Sequence, residues 1–545
     1  LNIYINKKGM NTIGYWKGTN SFFDYAGIGK LSIAIRNTHY VLYNRKTNQL
    51  GLAIEGEISS SSANSKSELP LVGVIPPIYP EWLGDRDFLE THRVRYAYVG
   101  GAMARGIGSA KLVIALAEGG MLGFFGSAGL SLDRIQNEIN TLKERLEPQG
   151  LSWGMNLIHT PSQPDLEASI VDLYLKNGIT KIEAAAFMSL SAAIVHFAFK
   201  GLSRSSDGTI MRRNHVFAKI SRPEVARHFL TPVPETILQQ LVLEGKLTQN
   251  EADLGTLLPV AEDITVESDS GGHTDSRPLG PLFSEILQLR NQLASAFDYQ
   301  TWPRIGAAGG LGTPTAVAAA YALGAAYVCV GSVHQSCIES GMSLAGKQML
   351  GKAGIADVAM TACADMFEQG VKVQVLKRGT MMPQRGNYLY NLYINNSGID
   401  TIPEKDKTKL EQEIFRAPLA SIWEETETFF KKIEPSQVAR AYADPKHKMA
   451  LIFRWYIGKS SQWPIVENTE RQLDYQIWCG PAQGAFNTWV KGTYLETVES
   501  RDVQQVALNL LEGAARITKA AQLKTYGLSI GEEAFSYTPT PIKRN

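Results

Sequence analysis

Two kinds of stretch in the sequence carry residues suited to chemistry. The first is Glu267-Ser268-Asp269-Ser270-Gly271-Gly272-His273-Thr274-Asp275, where an apolar run opens into acids, two glycines and a histidine. An imidazole gains and loses a proton near neutral pH, so His273 is a candidate general acid or base. The plainer alternative is a histidine that caps a loop through hydrogen bonds. The second is a pair of glycine clusters, Ile305-Gly306-Ala307-Ala308-Gly309-Gly310-Leu311-Gly312-Thr313-Pro314 and Val330-Gly331-Ser332. Glycines let main-chain N–H groups approach an anion closely, and Thr313 with Pro314 makes a good helix start. Gly309, Gly310, Gly331 and Ser332 are therefore candidates for a phosphate site; otherwise they serve only as tight turns. Neither cluster is a Walker A loop, because no Gly-Lys-Ser/Thr follows, and neither has the full Gly-x-Gly-x-x-Gly of a dinucleotide turn.

Polar residues also sit in or at the ends of apolar segments: Asn156, Glu183 and Lys219, with Ala102 and Met103 following the first such segment. Buried polar groups are costly unless paired, so Asn156 and Lys219 read as ligand contacts. A salt bridge of Glu183 with Lys219 inside the fold is the competing explanation. Other chemistries lack their signatures. The nine histidines are dispersed with no zinc-ligand spacing, and Gly126-Ser127-Ala128-Gly129 has the wrong spacing for a nucleophile elbow. No metal site is expected. Cys329, Cys337, Cys363 and Cys479 read as structural, although Cys337 and Cys363 could approach the site.

These residues need a scaffold that brings them to one face. Strands are expected at 96–99, 122–125, 153–157, 181–184, 215–219, 264–267, 304–307 and 327–330, with helical patterns such as 131–146 and 165–177 between them. Eight alternations of strand and helix predict an α/β chain folded as a closed (β/α)8 TIM barrel. In such barrels the loops after strands seven and eight commonly hold a phosphate, which is where the glycine clusters fall. Residues 1–94 read as an N-terminal cap, with a hairpin around the turn at 44–48 and a flexible Ser-rich loop at 59–67. Residues 333–465, with helical periods at 407–415 and 419–432, are too long for a barrel loop and predict a helical lid. Val503, Val506, Ala507, Leu510, Leu511, Ala514 and Ile517 then mark the eighth helix, so the barrel would comprise 95–332 and 466–530.

Composition excludes several classes. Lys and Arg total 54 against 53 Asp and Glu, so no global field draws in nucleic acid or an anionic membrane. The longest apolar stretch, 314–330, is broken by Gly324 and is no membrane span. Four scattered cysteines suit a reducing compartment, and no apolar segment follows Lys7 and Lys8 to make a signal peptide. A cytoplasmic protein is the expectation. Leu1 is an unusual first residue, with Met10 an alternative start.

The order Gly101-Ala102-Met103-Ala104, Asn156-Leu157, Lys219, Ser270-Gly271-Gly272-His273, Gly309-Gly310 and Gly331-Ser332 resembles the FMN-dependent superfamily of nitronate monooxygenases and flavin-type enoyl reductases. More specific motifs follow in the insertion: 364–368, 371–380, 449–456 and Asp474-Tyr475-Gln476-Ile477-Trp478-Cys479-Gly480-Pro481-Ala482. With Tyr15-Trp16-Lys17-Gly18 near the start, they extend the resemblance over nearly the whole chain, to the PfaD family of trans-acting enoyl reductases of polyunsaturated fatty acid and trans-acyltransferase polyketide synthases. The resemblance implies FMN at the C-terminal face of the barrel, NADPH as reductant, and an enoyl thioester on an acyl carrier protein as substrate. It implies that Ala102, Met103, Asn156 and Lys219 contact the isoalloxazine, that Gly309, Gly310, Gly331 and Ser332 hold its phosphate, and that Gly271, Gly272 and His273 lie beside it. Carrier proteins are generally acidic, so Lys372, Lys377, Arg378, Arg385, Lys446, Lys448 and Arg454 are a candidate dock; a solvated helix face is the alternative. A flavin oxidase of nitronate monooxygenase type on a small free substrate is the rival activity. A non-catalytic docking or scaffold protein is a rival of another class. Oligomeric state stays open, although many flavin barrels self-associate.

Overall fold

The computed structural model of the 545-residue chain describes residues 12–60 and 68–544. Lys7, Lys8, Met10 and most of the Ser-rich stretch lie outside the described residues. Eight strands close into a parallel barrel: Tyr98–Gly100, Leu122–Phe125, Gly154–Ile158, Lys181–Ala185, His215–Ile220, Asp263–Glu267, Arg304–Ala308 and Val328–Val330. They are called barrel strands one to eight. Strand eight pairs with strand one, Val328 opposite Tyr98 and Val330 opposite Gly100, which completes the ring. Helices cover the outside and side chains fill the inside, so strands two and seven are buried at every position and read as unbroken apolar runs. The first strand starts two residues later than its apolar pattern suggests. Arg95 and Tyr96 both donate to the Gly120 carbonyl, at 2.8 and 3.0 Å, before the ladder begins.

The covering helices form where period and caps agree. Leu132–Leu146 buries Ile135, Ile139, Leu142 and Leu146, and the Ser131 hydroxyl accepts the Arg134 N–H. Val503–Thr525, capped by Asp502 on the Gln505 N–H, packs between Pro314–Ala322 and Ala110–Glu118, the place of an eighth barrel helix. Among the described residues no helix is long and apolar enough to cross a membrane.

The N-terminal cap is larger than the expected hairpin. His39–Asn44 and Gln49–Ala53 do pair around a turn in which Asn44 Oδ1 accepts the N–H groups of Lys46 and Thr47. They belong, however, to a six-stranded antiparallel sheet whose apolar face packs on Leu523 at the end of the last helix. Of the missed strands, Ser21–Phe22 is only two residues long, and Leu69–Ile75 has its apolar run broken by Pro70 and Gly73. In the insertion, helices dominate from Met382 to Val466, but Val358–Ala362 and Lys372–Leu376 form an antiparallel hairpin ahead of them. Lys407–Phe415 divides into an α-turn and a π-helical segment, Leu410–Phe415.

The N-terminal end of the barrel is plugged by Arg86–His92. Phe88 stacks on Tyr327 at 4.6 Å between centroids, and Arg304 holds Asp263 bidentately at 2.7 and 2.8 Å. His92 Nε2 lies 2.9 Å from the same carboxylate. Burial opposes ionisation of Asp263, but Arg304 and His92 outweigh it and hold the group well below the ordinary carboxylate range. Asp263→Asn leaves the buried Arg304 guanidinium with the half-exposed Asp87 as its remaining carboxylate and should cost about 3–5 kcal/mol in denaturant unfolding; a loss below about 1 kcal/mol would show the plug to be dispensable. Because the folded pKa is depressed, this contribution is present above roughly pH 4 and declines as pH falls further.

Candidate active site

At the C-terminal rim of the barrel a cavity of about 990 Å³ opens under the insertion. Ala102, Met103, Asn156, Lys219, Gly271, Gly272, His273, Gly309, Gly310, Gly331 and Ser332 all line it, so residues spread over more than two hundred positions meet in one space. Parallel closure does this: every strand delivers its C-terminal loop to the same rim.

On the side of strands seven and eight the main chain is shaped for an anion. Gly309 and Gly310 have φ of +86° and +70°, a conformation that suits glycine. A Cβ on Gly309 would stand 2.5 Å from Ser268 Oγ, whereas one on Gly310 or Gly331 would meet no atom within 4 Å. Among the described residues, the N–H groups of Gly309, Gly310 and Gly331 make no main-chain hydrogen bond. The Ser332 hydroxyl accepts the Gly480 N–H at 3.1 Å and keeps its own proton to donate. Unspent donors around open space are what a phosphate requires.

Across the barrel mouth, polar side chains hold each other in place. The Glu183 carboxylate accepts the Ala102 N–H at 2.6 Å and faces the Cys329 thiol, which fixes the loop after strand one. Burial pushes the Glu183 pKa up while Lys219 and the Ala102 N–H pull it down; the net direction is up. Lys219 does not form its ion pair with Glu183. Its Nζ lies 3.5 Å from Glu267, whose Oε1 also accepts the Ser270 hydroxyl. Burial lowers the Lys219 pKa, but Glu267 and Glu183 outweigh it, so this lysine stays charged beside the cavity. The Asn156 side-chain amide donates to the Glu183 main-chain carbonyl at 3.0 Å, and the Asn156 main-chain carbonyl accepts from the Ser127 and Tyr174 hydroxyls.

His273 is placed by a contact between barrel and lid. Gly272 and His273 pair antiparallel with Gln374 and Val373 of the lid hairpin. Gln374 Nε2 donates to Asp269 Oδ1 and to the Ser270 carbonyl, at 2.8 and 2.7 Å. A Cβ on Gly271 would lie 2.7 Å from the Cys479 nitrogen, and one on Gly480 would lie 2.8 Å from the Gly271 nitrogen. The half-exposed imidazole has Nε2 3.6 Å from Asp365 Oδ2. Burial works against ionisation of Asp365, yet the neighbouring His273 imidazole and Cys363 thiol bring its pKa down to about 2. Ligand atoms of His273, Cys363 and Asp365 lie within 4.8 Å of one another, a grouping invisible in their spacing along the chain. Burial pushes the Cys363 thiol up, so it is no ready nucleophile at neutral pH.

Asp365, Gln374, Trp478 and Glu267 are cavity or rim residues whose roles the spacing of residues did not reveal. The first three come from the insertion and its return, and only the fold sets them against His273. Gly271→Ala should separate the hairpin from the rim. Overpacking costs about 1–3 kcal/mol, so amide exchange in 372–376 should quicken roughly tenfold or more while barrel strands keep their protection. Unchanged exchange there would show that the close approach is not needed.

Residues 261–395 match the family model for nitronate monooxygenase, and residues 396–475 match the inserted helical domain of [acyl-carrier-protein] S-malonyltransferase. A polyunsaturated fatty acid synthase protein of Thraustochytrium sp. is 43% identical over 468 residues, 84% of this chain and 31% of that protein. Polyketide biosynthesis protein PksE of Bacillus subtilis is 40% identical over 438 residues, 80% of this chain and 57% of that one. The chain thus spans from about a third to just over half of these two relatives. The crystal structure of the enoyl reductase domain of MlnA, from the macrolactin biosynthesis cluster of Bacillus amyloliquefaciens, is 36% identical, with a TM-score of 0.78 over 82% of this chain and 99% of that one. Barrel, glycine rim and lid agree with that kinship: the chain belongs to the PfaD-type family of enoyl reductase domains of polyketide and polyunsaturated fatty acid synthases.

Proposed function

We propose that this protein is an FMN-dependent, NADPH-consuming reductase of enoyl thioesters borne on an acyl carrier protein. The observation that carries the reading is the cavity itself, with unspent glycine N–H groups on one wall and the His273 imidazole on another. A bound flavin would supply the two-electron step that links a nicotinamide to a conjugated double bond. Gly309, Gly310, Gly331 and Ser332 would hold its phosphate. The charged Lys219, the Asn156 amide and the loop at Ala102 and Met103 would orient its ring, each kept in position by Glu267 or Glu183. The lid screens the site from water and strengthens electrostatics inside it. Asp365 gives the imidazole an acceptor to orient against, which leaves His273 able to polarise a thioester carbonyl or to deliver the proton that the α-carbon needs.

Carrier recognition falls to a smaller basic surface than the composition of the insertion suggests. Arg385 is turned inward onto the buried Asp474, and Arg378 pairs with Asp357 at 3.3 Å. Lys446, Lys448 and Arg454 lie over the rings of Tyr393, Trp423 and Phe430. Lys372 and Lys377, exposed at the two ends of the buried central strand of the hairpin sheet, remain as the contacts for an acidic carrier.

Two experiments test this reading. Gly331 has a negative φ, −124°, and a Cβ built there meets no atom within 4 Å, so Gly331→Val sends its side chain into the open space. It should yield folded protein lacking the visible flavin band; full flavin retention would remove the phosphate site from these glycines. His273→Ala should keep flavin and its reduction by NADPH but slow reoxidation by an enoyl thioester about 10²–10⁴-fold in single turnover. Unchanged reoxidation would take His273 out of the chemistry.

A further inference from the structure

The loop after barrel strand one holds a cation that the proposed chemistry does not use. Arg105 lines the cavity, and its backbone is left-handed at φ +59°. That conformation is uncommon for arginine and is imposed by the surrounding ladder. Arg105 N–H donates to the Ala128 carbonyl at 2.8 Å, Gly106 N–H to Gly126 at 2.8 Å, and Gly108 N–H to Met103 at 2.9 Å. Opposite it stands Gly129. A Cβ there would come within 3.5 Å of Arg105 Cγ and 4.0 Å of Nε, so glycine leaves the side chain room to lie along the wall.

The other basic side chains lining the cavity have partners. Lys219 is paired with Glu267 at 3.5 Å, His159 with Glu167 at 3.1 Å, and His273 with Asp365 at 3.6 Å. Among the described residues, no carboxylate, carbonyl or ring partners the Arg105 guanidinium, although it is half-buried. Burial lowers its pKa, and Asp365 acts on it only through its field, not through contact. Five N–H donors in a planar fork, held at a cavity wall without an acceptor, match an oxyanion that can be gripped at two points. The glycine cradle lies on the loops of strands seven and eight, whereas Arg105 lies against the loop of strand two and under the lid.

We propose that Arg105 is a second phosphate-binding point of this cavity, separate from the glycine cradle, which grips a phosphate carried in by a diffusing reactant. This rests on the proposed enoyl reductase reading, which supplies two reactants bearing such a group. One is the nicotinamide reductant, through its 2′-phosphate; the other is the acyl thioester, through the phosphate of its pantetheine arm. Residues on the loop of strand one thereby select for phosphorylated reactants, while the flavin is retained by other residues.

The test is equilibrium titration of the flavin-loaded protein and its Arg105→Gln and Arg105→Lys variants, with flavin content measured for each. One arm compares NADP⁺ with NAD⁺, and the other compares a phosphopantetheine enoyl thioester with its dephosphorylated counterpart. Arg105→Gln should weaken the phosphorylated member of one arm roughly 10–100-fold, leave its unphosphorylated member and the other arm unchanged, and retain flavin. Arg105→Lys should recover part of the loss, since a point charge replaces a fork. Unchanged affinities in both arms overturn the proposal. So does an equal loss on all four ligands, which marks a structural role, and so does loss of flavin, which makes Arg105 part of the cofactor cradle. Because binding is read directly, a wild-type protein that binds these ligands through Arg105 but does not turn over would contradict the reductase reading alone.

Discussion

The site depends on one main-chain contact. Gly271 and Gly480 bring the rim of strand six and the returning end of the insertion to within a distance no side chain allows, and the Gly272–His273 pair then joins the lid hairpin as a third strand. Without that approach the lid would be a separate helical body and the cavity would be an open barrel mouth. With it, the hairpin carries Asp365 to the imidazole, Gln374 ties Asp269 and the Ser270 carbonyl, and the Gly480 N–H reaches Ser332 beside the glycine-lined wall of the cavity. Barrel and insertion therefore build one chemical unit.

Buried charge is handled differently at the two ends of the barrel. At the N-terminal end Arg304 binds Asp263 and Asp87, and His92 joins the Asp263 carboxylate, in a network of close contacts. At the C-terminal end Lys219, Glu267 and Glu183 are only loosely matched, at 3.5 Å or through the main chain, and they face open space. A closely paired network leaves its charges satisfied by one another, whereas a loosely matched one leaves charge for a ligand.

Most of the barrel is legible in the sequence because parallel strands buried on both faces leave unbroken apolar runs, such as 122–125 and 304–308. The glycine clusters are legible for a related reason, since close main-chain approaches and left-handed turns at Gly309 and Gly310 select one residue type. The ion pair of Lys219 is not, because Glu183 and Glu267 each lie two residues from its register partner on a neighbouring strand, and only the side-chain geometry brings Glu267 within 3.5 Å. Nor is the dyad of His273 with Asp365, whose partners meet through a hairpin that composition hides among helices. Basic residues of the insertion mislead in the opposite direction. Arg385 is as charged in the sequence as Lys372, yet it serves the buried Asp474.

The most direct measurement is the visible spectrum of the purified protein under anaerobic conditions, followed through one cycle. The account predicts an oxidised flavin band that NADPH bleaches and that a carrier-borne enoyl thioester restores, with one saturated thioester formed per flavin. A protein that stays colourless when supplied with FMN, or whose bleached flavin is not reoxidised by the thioester, would contradict it.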